Sequence, residues 1–190
     1  YSSGNGIIIS GDSNKIVNNY IHDVNFTGTY AGNVSIHGRH NYLGYNTLSN
    51  SGRGTREIGG LKASIIEHND ISGGMKLASD GGLIYTPCTD GENTEIRYNW
   101  LHDCQSHLAE GLYLDNSSAN YSVHHNTIWN ISDSEVKLNH PSNFIFLYDN
   151  MIDGDVVSDF AWVFQDDTYG NRITDNVIPG KVDVHGNMTV

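Results

Sequence analysis

The sequence predicts an all-β fold: a right-handed parallel β-helix, a solenoid of about seven coils, one per copy of a recurring motif. Three observations predict it. An Asn-centred motif recurs every 23 to 30 residues. A second short apolar strand candidate precedes each copy. No segment carries the 3.6-residue apolar period of a helix.

The motif reads apolar–x–x–Asn–x–apolar. It starts as Ile16-Val17-Asn18-Asn19-Tyr20-Ile21 and recurs around Asn46, Asn69, Asn99, Asn126, Asn150 and Asn176. The steps between these Asn residues are 27, 23, 30, 27, 24 and 26. Leucine-rich repeats have a similar period, but their Leu-x-x-Leu-x-Leu frame is absent. Short strands broken by Gly, Asn, Asp and Ser fit parallel coils instead. The Asn has a physical reason. At an inward-facing turn its amide bonds the backbone and the Asn of the next coil, about 4.8 Å away. The Asn ladder is therefore read as structural, not catalytic.

The second strand of each coil is expected 10 to 15 residues before the ladder Asn, at Val34–His37, Glu57–Gly59, Leu83–Thr86, Leu112–Asp115, Val136–Asn139 and Trp162–Gln165. Stacking Ile36, Ile58, Ile84, Leu114, Leu138 and Phe164 inward throws their neighbours outward by strand alternation. The outward set is His37, Glu57, Tyr85, Tyr113, Asp115, Lys137, Asn139 and Gln165. A solenoid presents such stripes to long ligands. No domain boundary shows. Residues 1–190 read as one β-helix domain, expected to be a piece of a longer secreted protein whose flanks or partners cover the solenoid ends.

Composition narrows the partners. A net charge of −12 argues against nucleic acid and anionic membrane, which need Lys/Arg clusters. It fits a soluble extracellular protein. Cys88 and Cys104 leave a disulfide and two buried thiols both open. Six N-glycosylation sequons begin at Asn25, Asn33, Asn116, Asn120, Asn130 and Asn187.

The richest stretch for chemistry is Ser79–Thr86, followed one coil later by Glu110–Asn116. Asp80 and Glu110 each precede the aligned inward position by four residues, which stacks them about 5 Å apart. Two close carboxylates push their pKa values apart and leave one acid and one base or nucleophile. Asp115, beside Tyr85 and Asn139 on adjacent coils, is the second candidate partner. These acids can equally be turn residues. Tyr85 and Tyr113, side by side and facing out, suit stacking on a pyranose. Lys137 is the one cation of the stripe. With His140 or Arg97 it can neutralise a uronate, as a lyase requires, although the scarcity of basic residues favours neutral sugar. Glu57, Lys137, Asn139 and His140 complete the candidate substrate-binding set. No zinc motif occurs, and no cofactor is expected beyond structural calcium at a turn such as Asp166-Asp167.

The runs Asp80-Gly81-Gly82-Leu83-Ile84-Tyr85-Thr86, Thr94–Asp103, Gly111-Leu112-Tyr113-Leu114-Asp115 and Tyr121–Asn126 resemble secreted right-handed β-helix proteins of the pectate-lyase-like superfamily, both glycoside hydrolases and polysaccharide lyases. The likeness is strongest over residues 60–150 and to hydrolase-type members. It implies that Asp80 and Asp115 are the catalytic acids, whereas the spacing pairs Asp80 with Glu110. The expectation is an extracellular polysaccharide-degrading enzyme, a glycoside hydrolase with Asp80, Glu110 and Asp115 as its acids. Its rivals are a non-catalytic glycan-binding or structural β-helix unit and a polysaccharide lyase.

Overall fold

A computed structural model, describing residues 2–54, 56–159, 168–184 and 187–190, shows three parallel sheets wound into one solenoid. A representative coil runs Gly81–Thr86 on the first sheet, Asp90–Arg97 on the second and Trp100–Cys104 on the third. Each strand pairs with its counterpart one coil before and one coil after, in parallel register. Among the described residues six coils carry a strand on all three sheets, rather than the expected seven or so. The seventh motif copy supplies Tyr169–Thr174 to the second sheet, but on the third sheet Val177 makes only an isolated bridge to Met151. Pro179, two residues on, has no N–H to extend that pairing.

The first apolar residue of each motif copy faces inward on the second sheet. Ile16, Leu43, Ile66, Ile96, Val123, Leu147 and Ile173 form one register column, all buried. The last apolar residue does the same on the third sheet through Leu48, Ile71, Leu101, Ile128 and Ile152. Cutting Ile96 to Ala in the middle of this core should cost about 2–5 kcal/mol and lower the thermal midpoint followed by circular dichroism.

Two residues join the second sheet to the third at every coil. The first has a left-handed backbone: φ is 57° at Asn18, 59° at Tyr45, 53° at His68, 53° at Tyr98, 55° at His125, 53° at Asp149 and 58° at Asp175. The second is the ladder Asn. Asn99 Nδ2 donates to Ile66 O at 2.9 Å, Arg97 O at 2.9 Å and Asn126 Oδ1 at 3.0 Å. Its Oδ1 accepts from Asn69 N at 3.1 Å and Asn69 Nδ2 at 2.9 Å. The ladder runs from Asn19 to Asn176 as the spacing predicts. A second, mixed ladder at the corner between the first and second sheets passes from Asn14 to Asn41, Ser64 and Thr94.

The first sheet departs from the expected register. Ile84 lies opposite Leu112, Tyr85 opposite Tyr113 and Thr86 opposite Leu114. Leu114 and Leu138 thus stack on Thr86 and Ser158, while Ile84 belongs with Leu112, Val136 and Val156. A period of two cannot distinguish inward positions two residues apart on one strand, so the alignment of Ile84 with Leu114 is off by one such step. The strand after Val136–Asn139 is Val156–Asp159. Trp162–Gln165, including the expected Phe164 and Gln165, lie outside the described residues, as do Asp166 and Asp167.

Candidate functional site

The outer face of the first sheet gathers the residues that carry chemistry. Tyr85, Tyr113 and Lys137 stand side by side on successive strands. The two phenol rings meet edge to face, 5.3 Å apart at 62°. Asp115 follows the strand Ala109–Leu114 and collects three donors: Tyr85 OH at 2.7 Å, Asn139 Nδ2 at 2.6 Å and its neighbour Asn116 N at 2.7 Å. Asn139 also donates to Tyr113 OH at 3.3 Å. Asp115, Tyr85, Tyr113 and Asn139 thus form one hydrogen-bonded cluster.

Glu110 joins it through Lys137, whose Nζ lies 3.1 Å from Glu110 Oε1 and 5.2 Å from the Tyr113 ring centre. Gly111 makes this placement possible. A Cβ there would lie 2.7 Å from Ile128 Cγ2 and 2.6 Å from Glu135 O, so the backbone presses against the interior where a side chain would not fit. Glu110 is 1% exposed, and its Oε2 has no hydrogen-bond partner among the described residues. Burial pushes its pKa up to about 7, with Asp133 and Asp80 adding to the push and Lys137 opposing it. Burial also holds the Tyr113 phenol far above its ordinary value, reinforced by Asp115, Asp80 and Glu110. Tyr85 is raised by burial and then by Asp115 and Asp80. All three candidate acids therefore bear electrostatically on the Tyr113 phenol, which stays protonated as a donor.

The acids are not stacked as expected. Glu110 sits opposite Gly82. Asp80 sits two residues further back, its N donating to Leu108 O at 3.0 Å. The two-residue shift of register removes their direct pairing. Asp80 is exposed at the end of the strand with a left-handed φ of 60°. Its carbonyl accepts from Arg53 Nη2 at 2.8 Å. Arg53 is a residue that sequence reasoning missed. Its guanidinium lies 4.2 Å from the Tyr30 ring centre and 5.7 Å from that of Tyr85. It reaches the site from the connection two residues after Ser51, where no motif marks it.

Two expected companions of Lys137 lie elsewhere. His140 is fully buried, with Nε2 bonded to Ser158 Oγ, because it faces the interior immediately after the strand ends. Arg97 is on the second sheet, paired with Glu67 at 2.7 Å and with Glu95. The backbone of Glu57 pairs beside Tyr85, but its side chain lies outside the described residues. Both cysteines are free. Cys104 is buried in the core, which pushes its thiol up to about 12, and Cys88 is exposed. Asn25 and Asn33 are fully buried and donate to backbone carbonyls, so neither sequon offers a free amide. Among the described residues no three His, Cys, Asp or Glu side chains converge as a metal site.

Chemically, the cluster holds one carboxyl that exchanges its proton near neutrality, one carboxylate under three donors, and two phenols between them. No curated protein and no solved structure matches the chain. The family described as "right handed beta helix region" matches residues 1–178. With the three wound sheets and the continuous Asn ladder, this match makes the chain a member of the right-handed β-helix family.

Proposed function

We propose that this protein degrades polysaccharide as a glycoside hydrolase, with Glu110 as general acid and Asp115 as general base. The carrying observation is Glu110, whose buried carboxyl keeps a proton up to a pKa of about 7 and is linked through Lys137 to the Tyr113 ring. A group poised near working pH is an effective proton donor. Tyr85 and Tyr113 hold the sugar, Lys137 and Asn139 orient the acids, and Asp80 lines the exposed approach. Four residues of strand lie between Glu110 and Asp115, about 16 Å of backbone, which is too far for the roughly 5 Å pairing of double displacement; single displacement through water requires the two side chains to lean toward each other to about 6.5–9.5 Å.

The test is release of reducing ends from a panel of plant and algal polysaccharides. Glu110→Gln and Asp115→Asn should each lose about 100-fold or more in rate while unfolding cooperatively like the wild type. The rate of the intact enzyme should fall as pH rises through about 7, because Glu110 then loses the proton it must donate. A product with an unsaturated ultraviolet chromophore would instead identify a lyase, with Lys137 and Arg53 as the cations.

The rival non-catalytic reading has an observation of its own. Glu110 and Tyr113 are 1% and 2% exposed, as in a structural ion pair and its cover. Full activity in both acid variants, or a folded protein inert on the whole panel, would favour that reading.

A further inference from the structure

A second candidate site lies on another face of the solenoid. Along the outer side of the third sheet runs a groove of about 770 Å³, lined by Asp70, Trp100, His102, Thr127, Trp129 and Met151. A neighbouring groove of about 500 Å³ is lined by Tyr45, His68, Tyr98 and again Asp70 and Trp100. The two share a wall and form one trough. Its rings come from successive coils: Tyr45, then His68, then Tyr98 and Trp100, then Trp129, with Met151 on the coil after. Four rung spacings make it roughly 19 Å long.

The rings are organised before any ligand arrives. Tyr45 stacks on His68 at 4.8 Å and 16°, and His68 on Tyr98 at 5.1 Å and 8°. His102 lies flat on Trp129 at 4.3 Å and 7°. Its ring nitrogens are anchored 2.9 Å from Asp70 and 2.8 Å from Asp103. Yet Trp100 is 58% exposed, and Tyr45, Tyr98 and Met151 are exposed as well. A contiguous apolar stripe of this kind marks a binding surface rather than scattered exposure.

Charge and geometry select the occupant. Among the described residues no Lys or Arg lines either groove, and the carboxylates Asp70 and Asp153 do, so a uronate polymer or nucleic acid meets repulsion there. A second copy of this chain would bring another net charge of −12. The third-sheet strands under the Trp rings are already paired on both sides, so a peptide cannot add as a further strand there. What remains is a long, flat, uncharged molecule that offers apolar faces to rings and hydroxyls to carboxylates. We propose that this trough binds a linear neutral polysaccharide, independently of the Glu110–Asp115 cluster on the first sheet.

The test is native affinity electrophoresis of the full chain in gels containing xyloglucan, galactomannan, arabinoxylan or mixed-linkage β-glucan, with polygalacturonate as the charged comparison. At least one neutral polymer should retard the protein. Trp100→Ala and Tyr98→Ala should each weaken retardation about ten-fold. Glu110→Gln, altered on the other face, should keep it. Because Trp100 is exposed, its variant should unfold within about 0.5 kcal/mol of the wild type. No retardation by any neutral polymer overturns the proposal, as does retardation that survives both aromatic substitutions. Retardation lost in Glu110→Gln but kept in Trp100→Ala also overturns it, while leaving the first-sheet reading intact. A dimer in sedimentation that Trp100→Ala dissociates would assign the trough to self-association instead.

Discussion

Replacing Asn99 by Ala is expected to destabilise the protein by about 3–5 kcal/mol, well beyond an ordinary hydrogen-bond deletion. The side chain makes five bonds, and its loss strands buried partners on two coils. Asn69 loses the acceptor of its backbone N and one of the three acceptors of its Nδ2, while Ile66 O and Arg97 O lose a donor. Each polar group left buried without a partner costs about 1–3 kcal/mol before any relaxation. The comparison that isolates the ladder is Asn19→Ala at its partly buried end. Asn19 donates to Asn46 Oδ1 and Val17 O, so its removal should cost about 1 kcal/mol. Urea unfolding followed by circular dichroism measures both. Equal losses at the two positions would mean that amide stacking along the solenoid contributes no more than a local turn bond.

The second large effect is electrostatic. Glu110 carries its proton up to about pH 7 in the folded chain, against 4.5 for an ordinary glutamate. Between these values the folded state binds more protons than the unfolded state, so stability falls as pH rises through that window and levels off above it. The full loss is about 3 kcal/mol. Glu110→Gln has no proton to lose. The difference in unfolding free energy between wild type and variant should therefore shift in the variant's favour from pH 4 to pH 8, and be flat above pH 8. A pH-independent difference would show that the carboxyl is ionised throughout the range.

The solenoid was legible because its determinants are local and repeated. An Asn two residues past the end of a short apolar run, seven times over, specifies a corner, and the flanking apolar residues specify the two faces meeting there. The mixed ladder through Asn14, Asn41, Ser64 and Thr94 escaped notice because it changes residue type from coil to coil, although the side-chain oxygens of Asn41, Ser64 and Thr94 each accept from the backbone N–H of the coil before. The outward stripe of Tyr85, Tyr113, Lys137, Asp115 and Asn139 followed from alternation alone. What alternation cannot give is an absolute register, and there the pairing of Asp80 with Glu110 failed by two residues. Nor can it show that Gly111 faces the interior, which seats Glu110 beside Lys137. Arg53 lay outside the motifs, and the trough rings Tyr45, His68, Tyr98 and Trp100 occupy the variable positions beside the ladder Asn, so that their joining into one surface shows only through the winding.

The two-residue corner has a consequence for how such a chain changes over generations. Connections from the third sheet back to the first range from three residues (153–155) to nine (25–33), whereas every corner before the third sheet keeps the same length and the same left-handed first residue. Each corner thus resets the phase of the winding, and an error of length made in one turn is not inherited by the next. Insertions in these connections are free to remodel the rim of the first sheet without disturbing the turns that follow. A single extra residue inside a corner has no such freedom, because it displaces an amide from a stack whose members are all in use. The molecule is therefore built from an inheritance-proof axis and an editable margin, and new chemistry has one natural place to arise.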